Sequence, residues 1–142
     1  MAEDRYRLGP LREVRERAEV VRRGDLAAAI GDAEVTAAHL ADRRARTTAA
    51  RDALTSALAS RPPLATATEL ALADRFIARR RKQLADALDE ELRSQLAHDR
   101  RTGEVELARG QLVRARADRE LIERHFARWR EDRRKRAENA AD

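Results

Sequence analysis

Apolar side chains recur along this chain in steps of three and four, with one break near the middle. The first stripe runs through Leu11, Val14, Ala18 and Val21, slips in phase near Gly24, and resumes at Leu26, Ile30, Ala33, Ala37, Leu40, Thr47, Leu54 and Leu58. The second holds Leu70, Ile77, Leu84, Leu88, Leu92 and Leu96, thins through Gly103, and recovers at Leu107, Val113, Ala117, Leu121 and Trp129. Such spacing belongs to amphipathic helices. Pro62 and Pro63 stand between the stripes, and no other proline interrupts either tract, so both can stay helical throughout. The pattern predicts an all-α fold of two long helices forming a single antiparallel coiled-coil hairpin over residues 1–142. Helix 1 is expected over residues 5–60, the turn over 61–67, and helix 2 over 68–138, with a frayed C-terminus. At about 1.5 Å per residue the helices would reach about 75 and 105 Å. The stripes mix intervals of seven and eleven, which predicts little supercoiling.

Local signals agree. Thr66 or Thr68 can cap helix 2, and Glu69 follows Thr66 by three residues, as a capping box requires. Carboxylates precede a basic partner by four residues at Glu3–Arg7, Glu13–Arg17, Glu19–Arg23, Asp89–Arg93, Glu120–Arg124, Glu131–Lys135 and Asp132–Arg136. Each such pair adds about 0.2–0.5 kcal/mol to an exposed helix. Gly24 and Gly31 are seven residues apart, as are Gly103 and Gly110. A fold about residue 67 sets Gly24 beside Gly110 and Gly31 beside Gly103, so the glycines either let the backbones approach closely or mark gentle bends.

Composition sharpens this picture. Leu, Ile, Val and Phe supply only 27 of 142 residues, near the edge of disorder, but Ala, Arg, Leu, Glu and Lys supply 91, the make-up of a long helix or coiled coil. No cysteine is present, which excludes disulfides and thiolate metal sites and suits a reducing compartment. The longest apolar run is far short of a membrane span, and Glu3 and Asp4 stand where an export leader would be basic. A soluble cytoplasmic protein is expected.

Catalysis needs polar groups converging where water is excluded, and two helices side by side offer no such place. His39, His98 and His125 are far apart, and Ser56, Ser60 and Ser94 have no neighbouring histidine. No glycine loop fits a phosphate or dinucleotide site. The sequence therefore predicts no enzyme and no cofactor or metal. Net charge is +5. The basic clusters Arg79-Arg80-Arg81-Lys82 and Arg133-Arg134-Lys135-Arg136 are interleaved with acids and wind around every helix face, so nonspecific nucleic-acid binding is a minor alternative.

The hairpin brings Tyr6, Leu8 and Leu11 towards Leu121, Ile122, Phe126 and Trp129, clustering three of the four aromatic residues at the open end. This cluster can plug the ends against fraying, dock a partner, or do both. Its residues also carry a resemblance. Tyr6-Arg7-Leu8-Gly9-Pro10-Leu11-Arg12-Glu13-Val14-Arg15 resembles the opening of the flagellar FliJ and virulence-type YscO stalk proteins of type III secretion systems. Leu121-Ile122-Glu123-Arg124-His125-Phe126-Ala127-Arg128-Trp129-Arg130, with Arg133 to Glu138 and a final Asp142, is similar to that family's charged C-terminal helix.

The resemblance covers nearly the whole chain and implies an antiparallel coiled coil acting as a central stalk. Its paired ends would enter the pore of a hexameric export ATPase, at the base of the membrane export apparatus. On this reading Tyr6, Leu8, Arg12, Arg15, Phe126, Trp129, Arg130 and Arg133 contact the ATPase. The start of helix 2, where Phe76-Ile77 looks like the family's aromatic-aliphatic step, would meet the membrane-embedded export gate through Phe76, Ile77 and Arg80. The following turns depart from the family pattern, carrying Arg79, Arg80, Arg81 and Lys82 where more neutral positions are expected. Phe76 either faces the gate or packs against the hairpin bend. Export chaperones are a further partner class. The hairpin is expected to be monomeric, and a generic coiled-coil adaptor or scaffold is the alternative to the stalk.

Overall fold

The computed structural model describes residues 5–141. Glu3, Asp4, the Glu3–Arg7 pair and the final Asp142 lie outside them. Two long helices, α1 (Gly9–Ala59) and α2 (Ala67–Ala141), account for almost all of these residues, and there is no strand among them. The fold is an all-α helical hairpin.

The helix ends follow from local chemistry. Pro10 falls in the first turn of α1, where a missing N–H costs nothing, and the Leu8 carbonyl accepts the first intrahelical bond from Arg12 N at 2.9 Å. At the other end Ser60 Oγ donates to the Ser56 carbonyl at 2.8 Å, and Pro62-Pro63 stops the helix. Thr66 is the cap of α2. Its N–H donates to Glu69 Oε2 at 2.8 Å, and Glu69 N–H donates back to Thr66 Oγ1 at 3.2 Å, closing the capping box.

The chain divides into two compact units, one of Gly31–Gly103 and the other of the segments up to Ile30 and from Glu104 onward. Within each unit α1 and α2 run antiparallel in a register mirrored about Ala67. In the central unit Asp32 meets Arg101, Thr36 meets His98, Arg43 meets Glu90, and Arg61 meets Asp74. In the terminal unit Arg12 meets Glu123, Arg15 meets Asp118, and Arg22 meets Gln111.

Burial is greatest along an alternation of four and three. From Leu8, just before α1, the series runs through Arg12, Arg15 and Glu19, then Leu26, Ala29, Ala33, Thr36, Leu40, Arg43, Thr47, Ala50, Leu54 and Ala57. On α2 they run Leu70, Ala73, Ile77, Arg80, Leu84, Ala87, Glu91, Ser94, His98, Arg101, Val105, Ala108, Leu112, Ala115, Arg119, Ile122, Phe126 and Trp129. This is a seven-residue repeat that keeps its phase past the exposed Arg22, the pattern of a coiled-coil seam, and it replaces the mixed sevens and elevens expected from the leucines.

The expected stripes are corrected accordingly. Leu26, Ala33, Leu40, Thr47 and Leu54, with Leu70, Ile77 and Leu84, do lie on the seam. Leu11, Val14 and Val21 lie one residue off it and are exposed, and the continuous repeat shows no phase slip at Gly24. Leu88, Leu92, Leu96, Leu107, Val113 and Leu121 also face solvent. The close-approach reading of the glycines fails too. A Cβ built on Gly24, Gly31, Gly103 or Gly110 meets nothing within 4 Å. All four occupy the position opposite the seam, so their spacing of seven reflects the repeat and not helix contact.

The two buried polar seam positions, Thr47 and Glu19, both meet groups of the other helix. Thr47 is buried, and its hydroxyl reaches the carbonyls of Arg43 at 3.1 Å and Ala87 at 3.3 Å. Glu19 is only 5% exposed, and three arginines surround its carboxylate. Arg23 Nη2 lies at 3.1 Å, Arg116 Nε at 3.5 Å, and Arg119 Nε is in direct contact with Oε2.

Candidate functional site

The terminal unit gathers a cluster of aromatic and charged side chains. Tyr6 lies just before α1, where its carbonyl accepts the Gly9 N–H at 3.1 Å, and its ring turns onto the last third of α2. The Tyr6 hydroxyl shares a hydrogen bond with His125 Nδ1 at 2.8 Å. Its ring meets Phe126 edge-on at 4.9 Å and Trp129 at 5.2 Å between centroids. Phe126 and Trp129, three residues apart, stack with an interplanar angle of 20°. Aromatic pairs of this kind add about 0.5–1.5 kcal/mol beyond the area they bury.

Arginines cover these rings. The Arg12 guanidinium carbon lies 4.2 Å from the Phe126 centroid and that of Arg130 lies 5.8 Å away, while Arg133 sits 5.5 Å from Trp129. Exposed cation–π contacts contribute about 0.5–1 kcal/mol each. Arg12 Nε also donates to Glu123 Oε1 at 2.7 Å. That hydrogen bond holds the Glu123 carboxyl below its ordinary range and raises the Arg12 guanidinium further. Arg15 Nη1 donates to Asp118 Oδ2 at 2.9 Å. Beside these pairs an apolar recess of about 310 Å³ is lined by Leu8, Leu11, Leu121 and Ile122 among others.

All eight residues singled out for the ATPase contact, Tyr6, Leu8, Arg12, Arg15, Phe126, Trp129, Arg130 and Arg133, thus come from one end of the terminal unit. Sequence reasoning missed His125, Glu123 and Asp118, which tie the two termini together. The signal for them was available, because extending the seven-residue step back from Leu26 reaches Glu19 and Arg12, whose mirrored partners are acidic or basic residues of α2.

The three residues proposed for the gate contact separate. Phe76 is partly exposed, and the Arg80 and Arg79 guanidinium carbons lie 4.9 and 5.8 Å from its ring centroid. Arg80 also donates to Gln83 Oε1 at 3.0 Å. Ile77, by contrast, is buried at the seam with 5% exposure, so it presents no surface to a partner. Its place in the repeat makes it core.

Among the described residues no three of His, Asp and Glu gather as a metal site requires, and no helix is long and apolar enough to cross a membrane. Compared with known proteins, the chain matches no family model, no curated protein and no solved structure.

Proposed function

We propose that the protein is the non-enzymatic stalk of a type III export ATPase, flagellar or virulence-type, and that its paired termini enter the pore of the ATPase hexamer from the cytoplasm. The observation that carries this reading is the tip itself. Tyr6, His125, Phe126 and Trp129 join the segment just before α1 to α2 short of its C-terminal end, and arginines decorate the cluster's outside. Between Leu121 and Arg136 seven basic side chains face three acidic ones. A tip of this kind gives weak, exchangeable contacts with a charged lining, which suits a part that shifts its grip as the hexamer turns over ATP. The resemblance of both ends to FliJ and YscO proteins supplies the identity of the partner. Contact with the export gate then falls to Phe76 and Arg80 without Ile77.

The test is whether the purified protein raises the ATPase rate of the cognate hexamer at near-stoichiometric amounts, with hexamer assembly followed by light scattering. Wild-type protein stimulates, and a folded Phe126→Ala/Trp129→Ala variant does not. Full stimulation by that variant counts against the tip. The absence of both stimulation and co-sedimentation with an assembled hexamer would favour the second reading, a helical adaptor, for which the outward-facing Leu88, Leu92 and Leu96 are the supporting observation.

A further inference from the structure

In the terminal unit a second apolar row runs along α1 beside the seam. Leu11, Val14, Ala18 and Val21 step by three, four and three, each one residue before a seam position. All four are exposed, Leu11 by 39%, Val14 by 56% and Val21 by 59%. Two adjacent stripes that keep one repeat belong to a helix with a neighbour on each, and the hairpin supplies only one of the two. Isolated exposed apolar residues are ordinary on a protein surface, but a continuous row marks an interaction surface.

Facing this row, α2 carries Leu107, Arg114, Leu121 and Arg128 at intervals of seven. Leu11, Leu121 and Arg128 line the same apolar recess, which sets the two rows on one side of the hairpin as the banks of a groove. The Arg15–Asp118 and Arg22–Gln111 bonds cross its floor, and His125 is held by Tyr6. Six arginines border the groove, Arg15, Arg17, Arg22, Arg114, Arg124 and Arg128, against two carboxylates, Asp25 and Asp118. Both carboxylates are taken, Asp118 by Arg15 at 2.9 Å and Asp25 by Arg22 at 3.5 Å, while Arg17 reaches back to Glu13 at 3.2 Å. Glu120 and Asp132 stand one turn from Arg124 and Arg128 respectively. Among the described residues, Arg114, Arg124 and Arg128 enter no ion pair. The groove thus keeps a positive excess that its own acids leave unanswered. A second copy would bring the same excess, so charge complementarity names an acidic occupant.

We propose that this groove binds an acidic amphipathic α-helix of a partner protein, its apolar stripe laid along Leu11, Val14, Ala18 and Val21 and its carboxylates facing Arg114 and Arg128. Those two arginines are two heptads apart, about 21 Å along α2, so the carboxylates that answer them stand two heptads apart as well. A helix fills a recess between two helices, whereas a flat bilayer would leave its floor empty. The surface lies beside the stacked rings and does not depend on contact with an ATPase.

The experiment titrates the full chain against two labelled synthetic peptides, read by fluorescence anisotropy, with folding checked by circular dichroism. Both peptides carry leucine at the first and fourth positions of three heptads; one has glutamate at the flanking positions and the other lysine. Wild-type protein binds the glutamate peptide about tenfold or more tightly than the lysine peptide. Arg114→Glu/Arg128→Glu reverses that preference, which misfolding does not produce. Val14→Gln/Val21→Gln weakens the glutamate peptide by about fivefold or more through lost apolar contact. Arg93→Glu/Arg100→Glu makes the same change of net charge in the central unit and leaves binding as in wild type. Equal binding of the two peptides, no reversal, an unaffected valine variant, or an equal loss in the central-unit variant would each overturn the proposal. So would self-association of the chain, or binding to phosphatidylglycerol vesicles in preference to the peptide, if Val14→Gln/Val21→Gln abolished it, since a second copy or a membrane would then be the occupant.

Discussion

Arg12 Nε donates to Glu123 Oε1 at 2.7 Å and so links the first turn of α1 to α2 across 111 residues of sequence. The same guanidinium lies over the Phe126 ring, so one side chain serves both the ionic and the aromatic parts of the tip.

Acid should loosen this end. Glu123 is held below its ordinary value of 4.5 in the folded chain, chiefly by the Arg12 hydrogen bond. A carboxyl with a depressed folded value stabilises the fold above its unfolded value and loses that stabilisation as pH falls through the folded one. Glu123→Gln should therefore melt below wild type at neutral pH, and the gap should close as pH drops below about 4.5. Thermal melts of both proteins across that range check it. A gap that is constant with pH would mean that the pair does not form.

Glu19 should be the most sensitive polar position in the seam. Glu19→Ala leaves Arg23, Arg116 and Arg119 facing one another without their carboxylate, and should cost about 1–3 kcal/mol. The melting temperature should drop by roughly 3–8 °C. Replacing Glu19 and Arg119 together by leucine should be neutral or stabilising, because a packed apolar pair avoids the desolvation of buried charge.

The seam register is testable with two aliphatic truncations. Ile77→Ala removes a buried seam residue and should cost about 2–4 kcal/mol in urea unfolding. Leu107→Ala should change stability by no more than about 0.5 kcal/mol, since Leu107 faces solvent. Similar losses at the two positions would refute the assigned repeat.

Gly31 and Gly103 have open space where a Cβ would stand. Gly31→Ala and Gly103→Ala should each stabilise the helix by about 0.5–1 kcal/mol, read as a higher melting temperature. A lower one would restore the close-approach idea that the open space argues against.

The sequence pattern made the helices legible because Pro62, Pro63 and the Thr66–Glu69 box punctuate them chemically. The seam was legible where leucine or alanine holds it, from Leu26 to Leu54 and from Leu70 to Leu84. It was misread towards the termini, where Arg12, Arg15 and Glu19 take the inward positions while Leu11, Val14 and Val21 point outward. A count of apolar residues follows the wrong face there, since arginine stems cover apolar surface while their heads pair with Glu123 and Asp118. Phase carried over from Leu26 would have found the right face, because a continuous helix keeps its repeat. The aromatic tip was legible because mirroring the chain about its turn brings Tyr6 to Phe126 and Trp129. Its ionic ties were legible only by carrying the repeat back from Leu26 to Glu19 and Arg12, which a count of apolar residues does not do.

The most direct measurement for the stalk reading is site-specific photo-crosslinking with the cognate export ATPase, placing the probe at position 130 in the tip or at position 64 in the exposed turn. Crosslinks from position 130 to the assembled hexamer, and none from position 64, are the expected result. Crosslinks from 64 alone, or from neither position with the hexamer assembled, would contradict insertion of the paired termini.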